Sequence, residues 1–468
     1  MLLKNLIKFS NIKYKKKNIK GLAISSKEVK KEFIFFAIKG NKTNGENYIS
    51  DAVNKGATVI ICSKKCQFKS KSIIVIKTLN IRKLLSEIVS RFYKLKPKNI
   101  IAVTGTNGKT SVADFYYQIL NINKIKAASI GTLGIKYNNK IIKNNLTSPD
   151  TITLHKNLEV LKKNNINNVI IEASSHGLAQ KRLNNLNFKA GIFTNFSQDH
   201  LDYHKTMKAY LNAKMILFSH LLPKNSYIIS DQSNKQFSIL KKISKRKKLK
   251  LLDIQKKINQ IKKISTLFPS YYQQKNLSMA IMAAQLCGLK DSKITSTLKK
   301  IKKINGRFEL IKKYPNNIKI YIDYAHTPDA LTEVLKTIKN IYNKNISLVF
   351  GCGGERDFKK RPIMAKIAKK YCNKIYVTDD NPRKENPASI RQEITKNLKG
   401  STYFNIGNRS HAIKQSVINA EPNEIILVAG KGHENHQYYR NKTISISDKQ
   451  IINKLKIKKL KINKKKKN

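Results

Sequence analysis

Acidic side chains are scarce in this 468-residue chain: 28 Asp and Glu stand against 94 Lys and Arg, for a formal net charge of +66. Arginine is scarce as well. It supplies 11 of the 94 cations, which leaves 83 lysines (94 − 11). A charge of +66 taken alone is the footprint of a nucleic-acid binder. Phosphate recognition, however, usually brings the planar arginine fork along with lysine. Here lysine is spread through the whole chain beside abundant Ile and Asn, the pattern of A/T-rich codon drift at tolerant surface positions, so no nucleic-acid partner is expected. Cysteine is limited to Cys62, Cys66, Cys287, Cys352 and Cys372, odd in number and scattered. Cys62 and Cys66 have no second Cys/His pair at zinc spacing, so reduced structural thiols are expected. No apolar run approaches the ~18 residues that span a bilayer. Lysines interrupt Met1–Phe9 before a secretory core of ~7–15 residues can form. A cytoplasmic protein without membrane insertion is expected.

Against this background, any motif built from Gly, Arg, His, Asp or Pro stands out. The length suggests about three domains at ~150 residues each. Short Ile/Val-rich runs recur at Asn99–Gly105, Asn168–Ser174, Ala190–Asn195, Ile318–His326, Ile346–Gly351, Lys374–Asp379 and Glu424–Gly430. Helix-period stretches lie between them, including Thr110–Leu120, Asn276–Cys287, Asp329–Ile341 and Arg361–Tyr371. Continuous apolar strands alternating with helices indicate parallel sheets covered on both faces, and therefore an α/β fold. Domains are expected at 1–95, 96–310 and 311–468, the last with a basic tail after Lys454 that reads as a frayed terminus. Residues 232–266, lysine-dense and weakly patterned, read as a loop-rich edge of the central domain.

Six unusual motifs each end one of these strands, where open α/β sheets bind ligands. In the first, Gly105-Thr106-Asn107-Gly108-Lys109-Thr110-Ser111, glycines let backbone N–H groups curl around phosphate oxygens. Lys109 adds a point charge, and the Thr110 hydroxyl is placed for Mg²⁺. Val103 stands where the usual GxxxxGK[ST] spacing needs glycine, so the loop is a tighter variant. ATP binding follows, but ATP binding names no reaction.

The GTNGKT loop resembles the signature of the Mur ligases and their folylpolyglutamate synthetase relatives, which join a carboxylate to an amine with ATP. Further motifs agree in order: Glu172-Ala-Ser-Ser-His-Gly-Leu178, Thr194-Asn-Phe-Ser-Gln-Asp-His-Leu-Asp-Tyr-His204, Asn305-Gly-Arg-Phe-Glu309, Asp323-Tyr-Ala-His-Thr-Pro328 and Gly430-Lys-Gly-His-Glu434. The resemblance is strong from about 99 to 450 and weaker before. It implies a UDP-substrate-binding N-terminal domain, a central P-loop ATPase domain on a parallel sheet, and a Rossmann-like C-terminal domain. The motifs are most similar to the members that add the third peptide residue of the peptidoglycan precursor. That implies UDP-MurNAc-L-Ala-D-Glu and meso-2,6-diaminopimelate as substrates, ATP and Mg²⁺ as cofactors, and a monomer.

Such a ligase passes the γ-phosphoryl of ATP to a carboxylate, and an amine then attacks the acyl phosphate, so cations and alignment carry the catalysis. Lys109, Glu172, His200, Lys214 and His326 are the catalytic candidates. Thr110, Glu172, His200 and Lys214 are the candidate metal ligands. From residues alone Lys214 would be one lysine among many; the resemblance implies that CO₂ converts it to N6-carboxylysine, a carboxylate-like ligand for hard Mg²⁺. On the nucleotide side the resemblance adds Asn276 and Arg307 to the seven loop residues. For the UDP-muramoyl-dipeptide it implies Ile24, Ser26, Asn41, Lys42, Thr43, Asn145, Leu146, Thr147, Ser174, Gln180 and Arg182. The chain departs from the family at Ser25 (usually Asp), Leu146 (usually Thr) and Gln273 (usually Asn). For the amino acid it implies Arg356, Asp380, Asn381, Pro382, Arg383, Gly430 and Glu434, with Glu434 on the distal ammonium. Diaminopimelate differs from lysine by a second carboxylate, which an arginine fork binds through two hydrogen bonds; lysine would leave Arg383 unpaired. Arg182, Arg307, Arg356, Arg361, Arg383 and Arg409 all lie in or beside motifs, sites where a point charge cannot replace a fork.

Three readings stay open on sequence alone. A sister ligase would share GTNGKT without the Arg383 motif and Arg356. A nucleic-acid-stimulated P-loop ATPase would account for +66 and bind with steep salt dependence. A decayed binding protein would have lost Lys109 or Glu172, and both are present.

Overall fold

The structure is a computed structural model that describes residues 1–7, 16–40, 43–144, 146–264, 268 and 270–455. Asn41, Lys42, Asn145 and the tail from 456 onward lie outside the described residues. The chain forms two compact units. One comprises Met1–Phe196, Leu211–Ile264 and Lys275–Ile301; the other comprises Ser197–Tyr210, Ser265–Gln274 and Lys302–Asn468.

The first unit holds two sheets. Strands β1 (Gly21–Ala23), β2 (Phe33–Phe36), β3 (Ala57–Ser63) and β4 (Ile74–Thr78) pair in sequence order, all parallel. The second sheet contains β5 (Asn99–Thr104), β6 (Ala127–Gly131), β7 (Gly134–Tyr137), β8 (Lys140–Ile142), β9 (Asn168–Glu172), β10 (Phe188–Phe193), β11 (Tyr227–Ser230) and β12 (Lys250–Asp253). Its order is β12-β11-β10-β5-β9-β6-β7-β8, and it is parallel up to β6 and antiparallel beyond. Strands β5, β9 and β10 lie side by side, so their C-terminal ends bring Gly105, Glu172 and Thr194 to one edge of the sheet. β5 and β9 are apolar almost throughout because helices cover both sheet faces, which excludes water from both sides.

The other unit carries β13 (Glu309–Lys313), β14 (Lys319–Asp323), β15 (Ile346–Phe350), β16 (Lys374–Val377), β17 (Thr402–Asn405) and β18 (Ile425–Ala429), ordered β13-β14-β18-β15-β16-β17. Only the β13 edge runs antiparallel. A hairpin, β19 (His436–Tyr438) and β20 (Thr443–Ser445), follows. The motif Asp323–Pro328 reads as strand end, loop and helix start. Thr327 caps Ala330 N at 3.2 Å, and Pro328 opens the helix Pro328–Tyr342, where its missing N–H costs nothing. The fold is α/β, and among the described residues no helix is long and apolar enough to cross a membrane.

One expectation is corrected. Of the stretch 232–266, residues 265 and 266 lie outside the described residues, and 232–264 are not loop-rich: they carry the helix Phe237–Lys247, the edge strand β12 and the helix Gln255–Ile264. Leu240, Ile243, Ile258 and Ile261 are buried at helical spacing. Lysine on the remaining helix positions masks that period in the composition without breaking it.

Arg409 and Asp448 pair with no solvent exposure on either side chain, through Nε–Oδ1 and Nη2–Oδ2 contacts of 2.8 Å each. Asp448→Asn keeps a hydrogen-bond acceptor but leaves the guanidinium without its counter-charge. Unfolding stability in urea should fall by roughly 1.5–3 kcal/mol; an unchanged midpoint would mean the pair contributes nothing net.

Candidate active site

The phosphate loop turns between β5 and the helix Lys109–Ile122. Gly105 has φ +148°, and a Cβ there would overlap the Thr194 hydroxyl, so only glycine fits. The end of β10 clamps the turn: Asn195 accepts from Asn107 N at 2.9 Å through its side chain and from Thr106 N at 3.0 Å through its carbonyl, while Thr194 Oγ1 donates to Asn107 O at 2.6 Å. Lys109 Nζ donates to Gly105 O at 2.9 Å and to Thr106 O at 2.8 Å. Lys214, 1% exposed in the helix Met207–Ile216, donates to the same Gly105 carbonyl at 2.7 Å. Two ammonium groups on one oxygen repel each other. Asn276 is buried with its carboxamide against Gly108, and Ser111 is buried in the first helical turn.

Glu172 ends β9 at 1% exposure. Its Oε2 accepts from Thr110 Oγ1 at 2.9 Å and from Thr132 Oγ1 at 3.2 Å, and its Oε1 accepts from Thr132 N at 2.8 Å. A Cβ at Gly131 would run into this carboxylate, so the glycine makes room for it. Among the described residues no group of three or more His, Cys, Asp or Glu could hold a metal. Thr110 and Glu172 fit Mg²⁺, which takes one or two protein oxygens and completes its shell with phosphate and water.

Several of the expected UDP-substrate residues gather at the same edge. Thr147 Oγ1 lies 3.2 Å from Thr132 Oγ1. Ser148 Oγ donates to Glu172 O at 2.7 Å and accepts from Ser174 N at 2.9 Å. Arg182 donates to Ser148 O at 2.7 Å, and its Nη2 and Nε fork onto Gln180 Oε1 at 2.7 and 3.1 Å. Leu146 is 46% exposed. Ile24 and Ser26 follow β1 in the first sheet, Ile24 half-buried and Ser26 buried, and Thr43 is exposed. The substituted Gln273 is buried and accepts from Ser270 Oγ at 2.8 Å.

His200 belongs to the other compact unit from Glu172 and Lys214. It has φ +56° and places Nε2 3.4 Å from Asp199 Oδ2. His326 Nε2 lies 3.7 Å from that same oxygen, and Lys360 Nζ lies 3.5 Å from Oδ1. Burial opposes the charge on Asp199, yet Lys360, His200 and His326 hold its carboxyl well below the usual range. Sequence reasoning singled out neither Asp199 nor Lys360. Asp199 was legible as the residue before His200; Lys360 had no signal among the other lysines. Arg307 stacks over the Tyr324 ring at 4.2 Å. Beside it, buried Asp323 accepts from Phe308 N at 2.6 Å and Ala325 N at 2.7 Å, and burial pushes its carboxyl up.

The expected amino-acid residues form one web. Arg383 has φ +55°, and its Nη1 donates to Gly354 O at 2.7 Å and Asn381 O at 3.3 Å. Among the described residues no hydrogen bond uses its Nε or Nη2, which leaves one edge of a half-buried fork open. Burial and the neighbouring Arg356 lower its pKa. Arg356 itself lies 3.7 Å from Asp202. Asn381 Nδ2 donates to Glu434 Oε2 at 3.1 Å, and the Tyr324 hydroxyl donates to Oε1 at 3.1 Å. Burial works to raise the Glu434 carboxyl, but the Lys431 ammonium and these hydrogen bonds hold it below the usual value. Asp380 and Pro382 are buried, and Asp380 Oδ2 sits against Gly430, whose N–H donates to Asp323 O at 3.0 Å.

Family models match in order along the chain: Mur ligase family, catalytic domain, over 18–93; Mur ligase middle domain over 103–296; and Mur ligase, glutamate ligase domain, over 306–432. The UDP-N-acetylmuramoyl-L-alanyl-D-glutamate--2,6-diaminopimelate ligase of Rickettsia montanensis is 38% identical over 94% of this chain and 96% of its own. A solved structure of a ligase bearing the same name aligns at 26% identity and TM-score 0.64, covering 97% of this chain and 98% of that one. MurF ligase from Thermotoga maritima, solved with ADP, shares the fold at TM-score 0.59 and 15% identity, covering 88% of this chain and 93% of that one.

Proposed function

The chain belongs to the Mur ligase family, and on that premise we propose that it adds meso-2,6-diaminopimelate to UDP-MurNAc-L-Ala-D-Glu with ATP, building the peptidoglycan precursor. It acts as a cytoplasmic monomer with Mg²⁺ and no nucleic acid. Residues 1–95 take the UDP-substrate, 96–310 ATP, and 311–468 the amino acid. The observation that carries the choice of amino acid is the open edge of Arg383, tied through Asn381 to Glu434. A cation fork for a carboxylate and a carboxylate for an ammonium, on one scaffold, suit the distal end of diaminopimelate. Lysine offers only the ammonium.

In this reading, the γ-phosphoryl of ATP moves to the terminal carboxylate of the dipeptide and ADP leaves. The amine of diaminopimelate then attacks the acyl carbon, and phosphate departs as the amide forms. Lys109 stabilises charge on the transferring group, and the loop's backbone N–H groups align the phosphates. Arg182, fixed by Gln180 and Ser148, receives the acidic dipeptide. Thr110 and Glu172 would hold Mg²⁺ and His200 a second ion, which when bound would supply positive charge against the phosphates. Asn276 and Arg307 hold the nucleotide, and His326 orients at Asp199.

The test is product formation by purified protein with ATP and UDP-MurNAc-L-Ala-D-Glu, comparing diaminopimelate and lysine at equal concentrations. Diaminopimelate should be strongly preferred; equal use would sink the amino-acid assignment, and no product with either would sink the ligase reading.

Lys214 as N6-carboxylysine removes the repulsion at Gly105 O by turning one cation into an anion. Intact mass measured near neutral pH should exceed the sequence mass by one CO₂, and Lys214→Arg should lack the increment. A bare amine in fully active protein would refute the modification.

A further inference from the structure

Lys431 follows Gly430 at the end of β18, and its side chain has no solvent exposure. Its ammonium has three protons and three acceptors: Asn381 Oδ1 at 3.2 Å, Glu434 Oε2 at 3.1 Å and His436 O at 2.6 Å. Asn381 closes a ring, since its Nδ2 also donates to Glu434 Oε2 and its Oδ1 accepts from Tyr438 N at 3.1 Å. No donor on Lys431 is left over for a ligand. Glu434 and Asn381, by contrast, are the residues placed against the amino acid.

We propose that Lys431 is a positioning residue of the amino-acid site, a buried counter-ion that holds Glu434 and Asn381 in the geometry that receives the substrate's distal ammonium. This rests on the proposed assignment of Glu434 to that ammonium. A carboxylate has about four acceptor positions. On Glu434, Lys431 and Asn381 take both positions of Oε2, and Tyr324 takes one of Oε1. One position on Oε1 remains, so the ring aims a single lone pair at the incoming N–H. Without Lys431, Glu434 would be a half-buried anion short of its counter-charge, free to swing toward any other donor. The ammonium of Lys431 also offsets the charge of Glu434, so recognition of the substrate amine depends on direction more than on Coulomb attraction.

The experiment is a kinetic cycle on the full chain with Lys431→Met, Glu434→Gln and the double variant. Lys431→Met should raise KM for diaminopimelate by about 10- to 100-fold, the cost of losing an orienting partner behind a contact residue. Its kcat at saturating diaminopimelate and its KM for ATP should stay within about threefold of native. In the Glu434→Gln background, adding Lys431→Met should change KM for diaminopimelate by less than about twofold, because the residue through which Lys431 acts is already altered. Equal rises in KM for ATP and for diaminopimelate, or multiplying effects in the double variant, would overturn the proposal. If Lys431→Met alone does not fold, the double variant, which buries no unpaired charge, decides against Glu434→Gln by the same criterion. Native protein that uses no diaminopimelate would instead refute the function proposed above, so the two failures are distinguishable.

Discussion

Lys109→Ala should lose turnover by roughly 10³-fold or more, the scale set by removing a preorganised charge from a transferring phosphoryl group. The fold should survive. Lys109 is half-exposed at the first position of the helix Lys109–Ile122, so truncation opens no core cavity, and alanine is the stronger helix former. Its ammonium donates to the loop carbonyls Gly105 O and Thr106 O, and these can turn to water. The loop itself is held from the other side by Thr194 and Asn195. Loss of the charge should therefore act on the chemical step with little change in melting temperature. Lys109→Arg should recover little, since the larger planar head does not fit where a compact point charge bonds two adjacent carbonyls. Rates of ATP-dependent amide formation, with the melting temperature of each variant, check this. Near-native turnover in Lys109→Ala would refute the phosphate-loop assignment.

Much of the parallel-sheet frame was legible because it is written in apolar residues, which lysine drift leaves alone. The runs at 99–105, 168–174, 346–351 and 424–430 became β5, β9, β15 and β18. What escaped was written in polar residues. Strands β7 and β8 are short: β7 is buried at Gly134 and Ile135, and β8 is exposed throughout, with Ile141 63% exposed, so neither shows an alternation. Their turn, Asn138-Asn139, has φ +46° and +60°, the two positive values a tight hairpin needs, and uses asparagine where glycine would have signalled it. The same holds at the sites. GTNGKT is visible because glycine is rare in this chain. Lys360 and Lys431, buried and paired with Asp199 and Glu434, are indistinguishable in sequence from dozens of solvated lysines. Only burial separates a counter-ion from a surface charge.

Arg383→Ala should cut kcat/KM for diaminopimelate by about 30- to 1,000-fold, the equivalent of roughly 2–4 kcal/mol for a charge-assisted bidentate pair. The loss should fall on KM for the amino acid, leaving KM for ATP within a few-fold of native. The geometry sets this division. Nη1 is already committed to Gly354 O and Asn381 O, which anchors the guanidinium and leaves Nε and Nη2 as the edge that meets a carboxylate. The backbone at 383 has φ +55° and donates its N–H to Tyr438 O at 2.8 Å, so the side chain projects from a fixed turn. Arg356 nearby adds positive charge to the same region and already lowers the Arg383 pKa, so an anion there relieves repulsion as well as forming bonds. Lysine as substrate lacks that anion: it should be poor with native protein and should gain relative to diaminopimelate in Arg383→Ala. Arg383→Lys should recover little, because an ammonium cannot present two parallel donors. Kinetics with both amino acids at saturating ATP and UDP-MurNAc-L-Ala-D-Glu decide the matter. A ratio of diaminopimelate to lysine use that stays the same in Arg383→Ala would remove Arg383 from the amino-acid site while leaving the phosphate loop and its chemistry untouched.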